Sequence, residues 1–291
     1  MVTAHPTAHC TSAFVRLSKL ISVAVLALAG TAAFGEAPAR VVSMNVCTDQ
    51  LAMLLAADGQ LLSLSPLAID PRISGMAEEA KAYHINSARA EEVYLMQPDL
   101  VLAGQYTARA AVDMLERLGV PVVRLKAVQS LADIPLRLAE IGEALGQSDR
   151  AAQLTARFEA DLAALQPAEG VARPRVIHYG ANGYTLGKNT LTDDMIAAAG
   201  FTNIASETGV MYGAAMPLEL LAMSAPDLVI TSKLYAGASR AEAVAQHPVV
   251  AAVSAPAQPT QLTSRDWGCG TPLVLRAIKE LAQKREALTD Q

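Results

Sequence analysis

The segments Glu91-Glu92-Val93-Tyr94-Leu95-Met96-Gln97-Pro98-Asp99-Leu100-Val101 and Glu219-Leu220-Leu221-Ala222-Met223-Ser224-Ala225-Pro226-Asp227-Leu228-Val229 are two versions of one pattern. In each, a Glu stands seven residues before Pro-Asp-Leu-Val. The Pro stops a short helix, and Asp-Leu-Val opens a buried strand. A chain that writes the same helix-to-strand junction twice is built from two similar lobes.

Working outward from each copy, short β-branched runs alternate with longer amphipathic ones. In the first half, residues 40–44 (RVVSM), 61–65, 99–103 (DLVLA) and 120–125 (VPVVRL) read as strands. Residues 49–57 read as a helix capped by Thr48, with Asp49 complementing the helix dipole, and residues 107–118 as a helix ended by Gly119. Strand, helix, strand at this spacing implies parallel βαβ units. The pattern restarts with a strand at 175–179 (RVIHY) and a helix over 193–199 closed by Gly200. A helix over 217–223, the strand 227–231 (DLVIT) and a C-terminal helix over 272–288 follow.

Between the halves, residues 131–145 and 148–166 read as helices split by Gly146. Ala151, Leu154, Phe158, Leu162 and Leu165 form one apolar face of the second, which lacks the Gly/Ser composition of a flexible linker. The expected organisation is an N-terminal lobe over 36–147, a rigid connecting helix within 148–170 and a C-terminal lobe over 171–291. The fold class is α/β: two βαβ lobes with parallel sheets, joined by a long helix, with a ligand cleft between them.

Residues 1–35 contain no Asp or Glu, carry Arg16 and Lys19, and run through an apolar stretch from Leu20 to Gly30 into Ala33-Phe34-Gly35. This is the pattern of a secretory signal cleaved near Gly35, with an apolar run too short to span a bilayer comfortably. It places the expected mature chain in the periplasm, without Cys10. Removing Arg16 and Lys19 takes the formal net charge from −5 to −7. The remaining basic residues are scattered, which argues against nucleic-acid binding. His84, His178 and His247 have no ligand spacing, so the sequence indicates no metal site of the protein's own. Gly187-Lys188-Asn189-Thr190 lacks the spacing of a phosphate loop.

Taken together, residues 40–56 (RVVSMNVCTDQLAMLLA), the paired Glu…Pro-Asp-Leu-Val segments, the connecting helix and Ser264-Arg265-Asp266-Trp267 resemble the class III periplasmic substrate-binding proteins of ABC importers. That family includes vitamin B12-, ferric-siderophore- and haem-binding proteins, and the likeness covers nearly all of residues 38–288. The resemblance implies that the protein captures a bulky metal chelate, as cargo rather than cofactor, and delivers it to an inner-membrane permease and its ATPase. It implies a monomer and no enzymatic activity. It also implies that Glu91 and Glu219, one on each lobe, dock onto basic residues of the permease. The ligand-binding positions it implies are Asn45 and Cys47 after the first strand, Tyr106 after the third, Tyr184 and Tyr212 in the second lobe, and Asp266 with Trp267; His178, at the end of a strand near the cleft, is a further candidate from its position. The chain departs from the vitamin B12-binding pattern in having Gly104 where that pattern tends to place Trp.

Cys47 and Cys269 are a candidate disulfide in an oxidising compartment. By resemblance each lies on a cleft-facing loop of one lobe, so the alternatives to a plain disulfide are a redox latch or thiolates facing a metal-containing ligand. The alternative function is an exported thiol oxidoreductase or hydrolase using the cleft. Against it stand the lack of Cys-x-x-Cys, Gly-x-Ser-x-Gly and paired catalytic carboxylates near one another.

Overall fold

The alternation of β-branched and amphipathic runs becomes strand, helix, strand in the structure, a computed structural model that describes residues 36–232, 237, 239–254, 260–262 and 264–289. The leader expected over residues 1–35 lies outside the described residues.

The first half runs β1 (Val41–Ser43), α1 (Val46–Leu55), β2 (Leu61–Leu64), α2 (Ala77–Ala80), β3 (His84–Ile85), α3 (Ala90–Leu95), β4 (Leu100–Gly104), α4 (Arg109–Arg117) and β5 (Val122–Leu125). Its strands form one parallel sheet in the order β3-β2-β1-β4-β5. Two helices follow, α5 (Asp133–Ala144) and α6 (Ser148–Leu165), turning at Gly146, whose φ of +67° suits a residue without a Cβ. The second half runs β6 (Arg175–His178), β7 (Tyr184–Leu186), α7 (Leu191–Ala198), β8 (Thr202–Asn203), α8 (Ile204–Glu207), β9 (Gly213–Ala215), α9 (Leu218–Ser224), β10 (Leu228–Ser232), α10 (Arg240–Ala243), α11 (Pro248–Val253), β11 (Thr260–Leu262) and α12 (Val274–Thr289). Here the parallel order is β11-β10-β6-β8, and β7 pairs with β9 as a separate antiparallel ribbon.

The duplicated junction is duplicated in atomic detail. Asp99 Oδ2 accepts the backbone N–H groups of Ala39 and Arg40, both at 3.0 Å, and the Arg40 guanidinium donates to the carbonyls of Gln97 and Met96 at 3.0 and 2.6 Å. In the second half, Asp227 Oδ2 accepts the backbone N–H of Arg175 at 2.6 Å, and Arg175 donates to the carbonyl of Ser224 at 2.7 Å. The residue before each proline, Gln97 and Ala225, is left-handed with φ of 48° and 44°. Proline disfavours the right-handed helical basin at the residue before it, so the helix stops there, and the left-handed turn at Gln97 and Ala225 leads into the strand. Both α3 and α9 are thereby pinned to the amino end of the strand at the centre of their own sheet.

One correction concerns the start of α1. The helix begins at Val46, and its cap is Asn45, whose Oδ1 accepts the N–H of Cys47 at 3.0 Å. Thr48 is instead buried inside the first turn, with its hydroxyl 2.7 Å from that of Ser43 and 2.9 Å from the Asn45 carbonyl. Asp49 is wholly buried, not displayed at the helix end: it accepts from the N–H and hydroxyl of Ser65 at 3.1 and 2.5 Å, tying α1 to the end of β2. A carboxylate with these local partners satisfies the backbone more fully than a surface charge does.

The two halves share one hydrophobic core. Leu51, Leu64 and Leu102 from the first sheet's elements, Ile134, Leu138, Ile141 and Phe158 from α5 and α6, and Met195, Ile196, Ile278 and Leu281 from the second half belong to a single buried cluster. Among the described residues no helix is long and apolar enough to cross a membrane.

Two outcomes follow from these contacts. Asp99→Ala and Asp227→Ala should each lower unfolding free energy by about 1–2 kcal/mol in urea melts, with the double variant close to additive. Burial pushes the Asp49 carboxyl up to about 6 from its usual 3.8, against smaller lowering by hydrogen bonds from Ser43 and Ser65. The folded state therefore binds the extra proton, so this group's contribution to stability should fall by about 3 kcal/mol as pH rises through the window between those values. Asp49→Asn, which keeps an acceptor for Ser65 without the charge, should flatten that slope in melts at pH 4 to 7.

Candidate functional site

In an open parallel sheet, the crevice for a ligand lies at the carboxyl ends of the strands where strand order reverses. In the order β3-β2-β1-β4-β5 that point is between β1 and β4. A cavity of about 150 Å³ sits there, walled by Asn45, Cys47 and Thr48 after β1, Gly104 at the end of β4 with Gln105 and Tyr106 after it, and Lys126 to Val128 after β5. Arg137 of α5 and Gly268 and Gly270 from the approach to α12 complete it. A wider, open depression of about 660 Å³ continues from Gln105 and Lys126 to Arg109, Asp113 and Arg124.

The local geometry explains several of these positions. A Cβ on Gly104 would stand 3.0 Å from Asn45 Cγ, so the bare backbone lets Asn45 cap α1 and face the cavity at once. Any side chain at 104 displaces it, and no aromatic platform stands on that strand end. Tyr106, by contrast, is 79% exposed at the cavity's edge. Arg137 is ion-paired with Glu140 at 2.9 Å, while its Nε is buried without a hydrogen bond. Across the depression, Arg124 bridges Asp113 and Glu116 at 2.5 and 2.8 Å and holds both carboxyls below their ordinary range.

The far wall belongs to the second half. Cys47 and Cys269 form a disulfide with Cα atoms 5.2 Å apart. The stretch after it rests on the first half: the Thr271 hydroxyl approaches Gln50 Oε1 at 3.4 Å, Arg276 donates to the Gly75 carbonyl at 3.0 Å, and a Cβ on Gly270 would collide with Val128. The two halves are thus joined by α5 and α6, by the shared core, and by a covalent staple beside the cavity.

Not every residue singled out from the sequence lines this cavity. Asn45, Cys47 and Tyr106 do. Asp266 does not; it pairs with Arg265 at 3.4 Å and Arg276 at 3.8 Å, helping to hold the approach to α12. Trp267 packs its ring against the shared core with its indole N–H buried and without a hydrogen-bond partner. Tyr184 opens β7 and Tyr212 directly precedes β9, 48% and 57% exposed, and Tyr212 adopts a φ of 61°. The Tyr184 hydroxyl lies against Gly213, which leaves no room there for a Cβ. His178 ends β6 with Nδ1 buried and unpartnered, and burial pushes its pKa down to about 4, so it is neutral near pH 7. Sequence reasoning missed Lys126 and Arg137. Lys126 directly follows a strand and was accessible to the strand-end rule; Arg137 sits mid-helix, and no local pattern marks it.

Glu91 and Glu219 occupy the same place in their lobes, the second residue of α3 and of α9, and both are exposed. Among the described residues no group of three or more His, Cys, Asp or Glu is arranged to hold a metal.

Comparison with known proteins agrees with this architecture. The family model described as "Periplasmic binding protein" matches residues 41–259. A cobalamin-binding protein of Halobacterium salinarum is 28% identical over 198 residues, covering 67% of this chain and 54% of that protein, so the chain spans about half the length of that relative. Among solved structures, the apo periplasmic haem-binding protein RhuT from Roseiflexus sp. RS-1 is similar with a TM-score of 0.70 at 20% identity, over 86% of this chain and 98% of that one. The periplasmic vitamin B12-binding protein BtuF of Vibrio cholerae is similar with a TM-score of 0.61 at 17% identity, over 87% and 99%. Likeness at that identity speaks for the fold: two lobes of parallel sheet and helix. With the family model spanning most of the chain, the protein belongs to the periplasmic binding protein family.

Proposed function

We propose that this protein is the substrate-binding component of an ABC importer, which captures a bulky metal chelate and hands it to a permease and ATPase in the inner membrane. The observation that carries the reading is the cavity at the strand-order reversal, walled by one lobe's strand ends and closed by a covalently stapled segment of the other. Family membership and the repeat-related pair Glu91 and Glu219 support it. The chain acts, on this reading, as an exported periplasmic monomer and not as an enzyme.

The geometry favours a particular mode of capture. A cavity of about 150 Å³ is smaller than pockets that enclose a drug-sized molecule, roughly 300–1,000 Å³. A large chelate therefore inserts one edge beside Asn45 and Gln105 and spreads across the open depression, with Tyr106 as an apolar plate that carries a polar tip. Lys126 and Arg137 in the wall favour chelates with anionic substituents over neutral ones. Tyr184, Tyr212 and the neutral His178 serve the same ligand from the second lobe, and Asp266 and Trp267 act by holding the stapled segment. Because the lobes share a core and a disulfide, closure is a small adjustment and not a hinge swing of the kind seen where lobes are joined by flexible strands. Glu91 and Glu219, set at a fixed span, then orient the loaded protein on a two-fold partner.

Calorimetric titration with cyanocobalamin, haemin, a ferric hydroxamate and a ferric catecholate tests the reading. The expected result is tight one-to-one binding of one chelate, recovered chemically unchanged; absence of heat with all four, or conversion of the chelate, would count against it. The disulfide closes a loop spanning 222 residues, for which chain entropy gives about 5 kcal/mol. Cys47→Ser with Cys269→Ser should lower the unfolding free energy by several kcal/mol and weaken the chelate's affinity, whereas unchanged affinity would remove the staple from the binding mechanism.

A further inference from the structure

Val93 and Leu221 are wholly buried, while two positions later Leu95 and Met223 are each 80% exposed. Apart from Tyr106, no other large apolar side chain that is exposed among the described residues exceeds 57%. Single exposed apolar residues are ordinary and need no explanation. These two are not independent, because they stand at the same position of the internal repeat, four residues after Glu91 and Glu219. On a helix, residues four apart lie on one face. Each lobe therefore presents a carboxylate and a bare apolar side chain together, on a short helix locked in place by its Arg–Asp junction.

We propose that Leu95 and Met223 are apolar anchors of the permease contact, each entering a socket beside the basic residue that receives Glu91 or Glu219. The inference rests on the importer reading above and adds to it the chemistry of the partner's surface. A two-fold permease would present, on each half, a cation next to a hydrophobic depression; Arg suits the cation because its stem can form part of the socket wall. The two lobes are not identical here. Beside Leu95 the first lobe has a groove of about 350 Å³ lined by Tyr94, Pro98, Leu118 and Val120, with Tyr94 and Leu118 themselves 45% and 42% exposed. In the second lobe Leu220, 52% exposed, adjoins the anchor instead. The first lobe can thus accept a side chain from the permease as well as donate one.

The two parts of such a contact have separable signatures. Rim charges govern encounter rate and salt dependence, whereas desolvated apolar anchors govern dissociation. The test is saturation binding and dissociation of the labelled mature protein on right-side-out inner-membrane vesicles from its own cells, at low and high salt. Leu95→Ser with Met223→Ser should weaken binding at least tenfold, equivalent to about 1.4 kcal/mol, through faster dissociation and with the salt dependence intact. Glu91→Lys with Glu219→Lys should slow association and abolish its salt dependence. Leu136→Ser, at an apolar residue of α5 that is 55% exposed and away from both helices, should change neither. If charge reversal removes binding but the Leu95 and Met223 variant binds like wild type, the anchors are refuted and the importer reading stands. If Leu136→Ser weakens binding as much as the anchor pair does, general surface hydrophobicity is at work and the anchors are again refuted. Absence of saturable binding by the wild-type protein would overturn both.

Discussion

The fold depends on the Arg–Asp clasp that closes each copy of the Pro-Asp-Leu-Val junction. The carboxylate at its centre ties the start of a central strand, where strand β1 or β6 begins, to the turn that ends a short helix. Because the residue before proline is turned into the left-handed region at the same place, helix, turn and strand are fixed as one piece. The positions of the proposed docking and binding residues are measured from this piece. At one end of the strands it holds Glu91 and Glu219 outward; at the other it sets the register of β1 with β4, and so the position of Asn45 opposite Gly104.

The second organising constraint is that, beside a smaller cluster of its own, each lobe contributes to one core shared by both. Side chains of α5, α6, α7 and α12 pack with those of both sheets' elements in one buried cluster, and the Cys47–Cys269 bond adds a covalent tie on the cavity side. A protein so joined holds Glu91 and Glu219, the contact points proposed above, at a nearly constant span. That suits recognition of a symmetric partner better than it suits enclosure of a small ligand, and agrees with a shallow cavity opening onto a broad depression.

Much of this is legible in the sequence, for identifiable reasons. The strands are β-branched runs bounded by Pro, Gly or Asp, and the helices α5, α6 and α12 carry apolar residues at helical spacing, so local signals and tertiary demand coincide there. The repeat exposes the pairing of Glu91 with Glu219 without any coordinates. What local pattern does not carry is where a side chain ends up once the halves meet. Asp266 and Trp267 look like a ligand pair in sequence; in the fold they stand outside the cavity lining, Asp266 paired with Arg276 and Trp267 against the shared core, a placement that depends on how this stretch crosses onto the first lobe. Arg137 looks like an exposed helical charge, yet it becomes part of the cavity wall. Asn45 and Thr48 are both good caps for α1, and only the buried partners of Thr48 and Asp49 decide for Asn45.

The measurement that bears most directly on the central claim is uptake of the bound chelate, radiolabelled, by cells that lack this gene and carry it back as wild type or as Glu91→Lys with Glu219→Lys. The account predicts that wild type restores uptake and the charge-reversed protein does not, although the purified variant binds the chelate with unchanged affinity. Equal uptake by both, or loss of chelate binding in the variant, would contradict it.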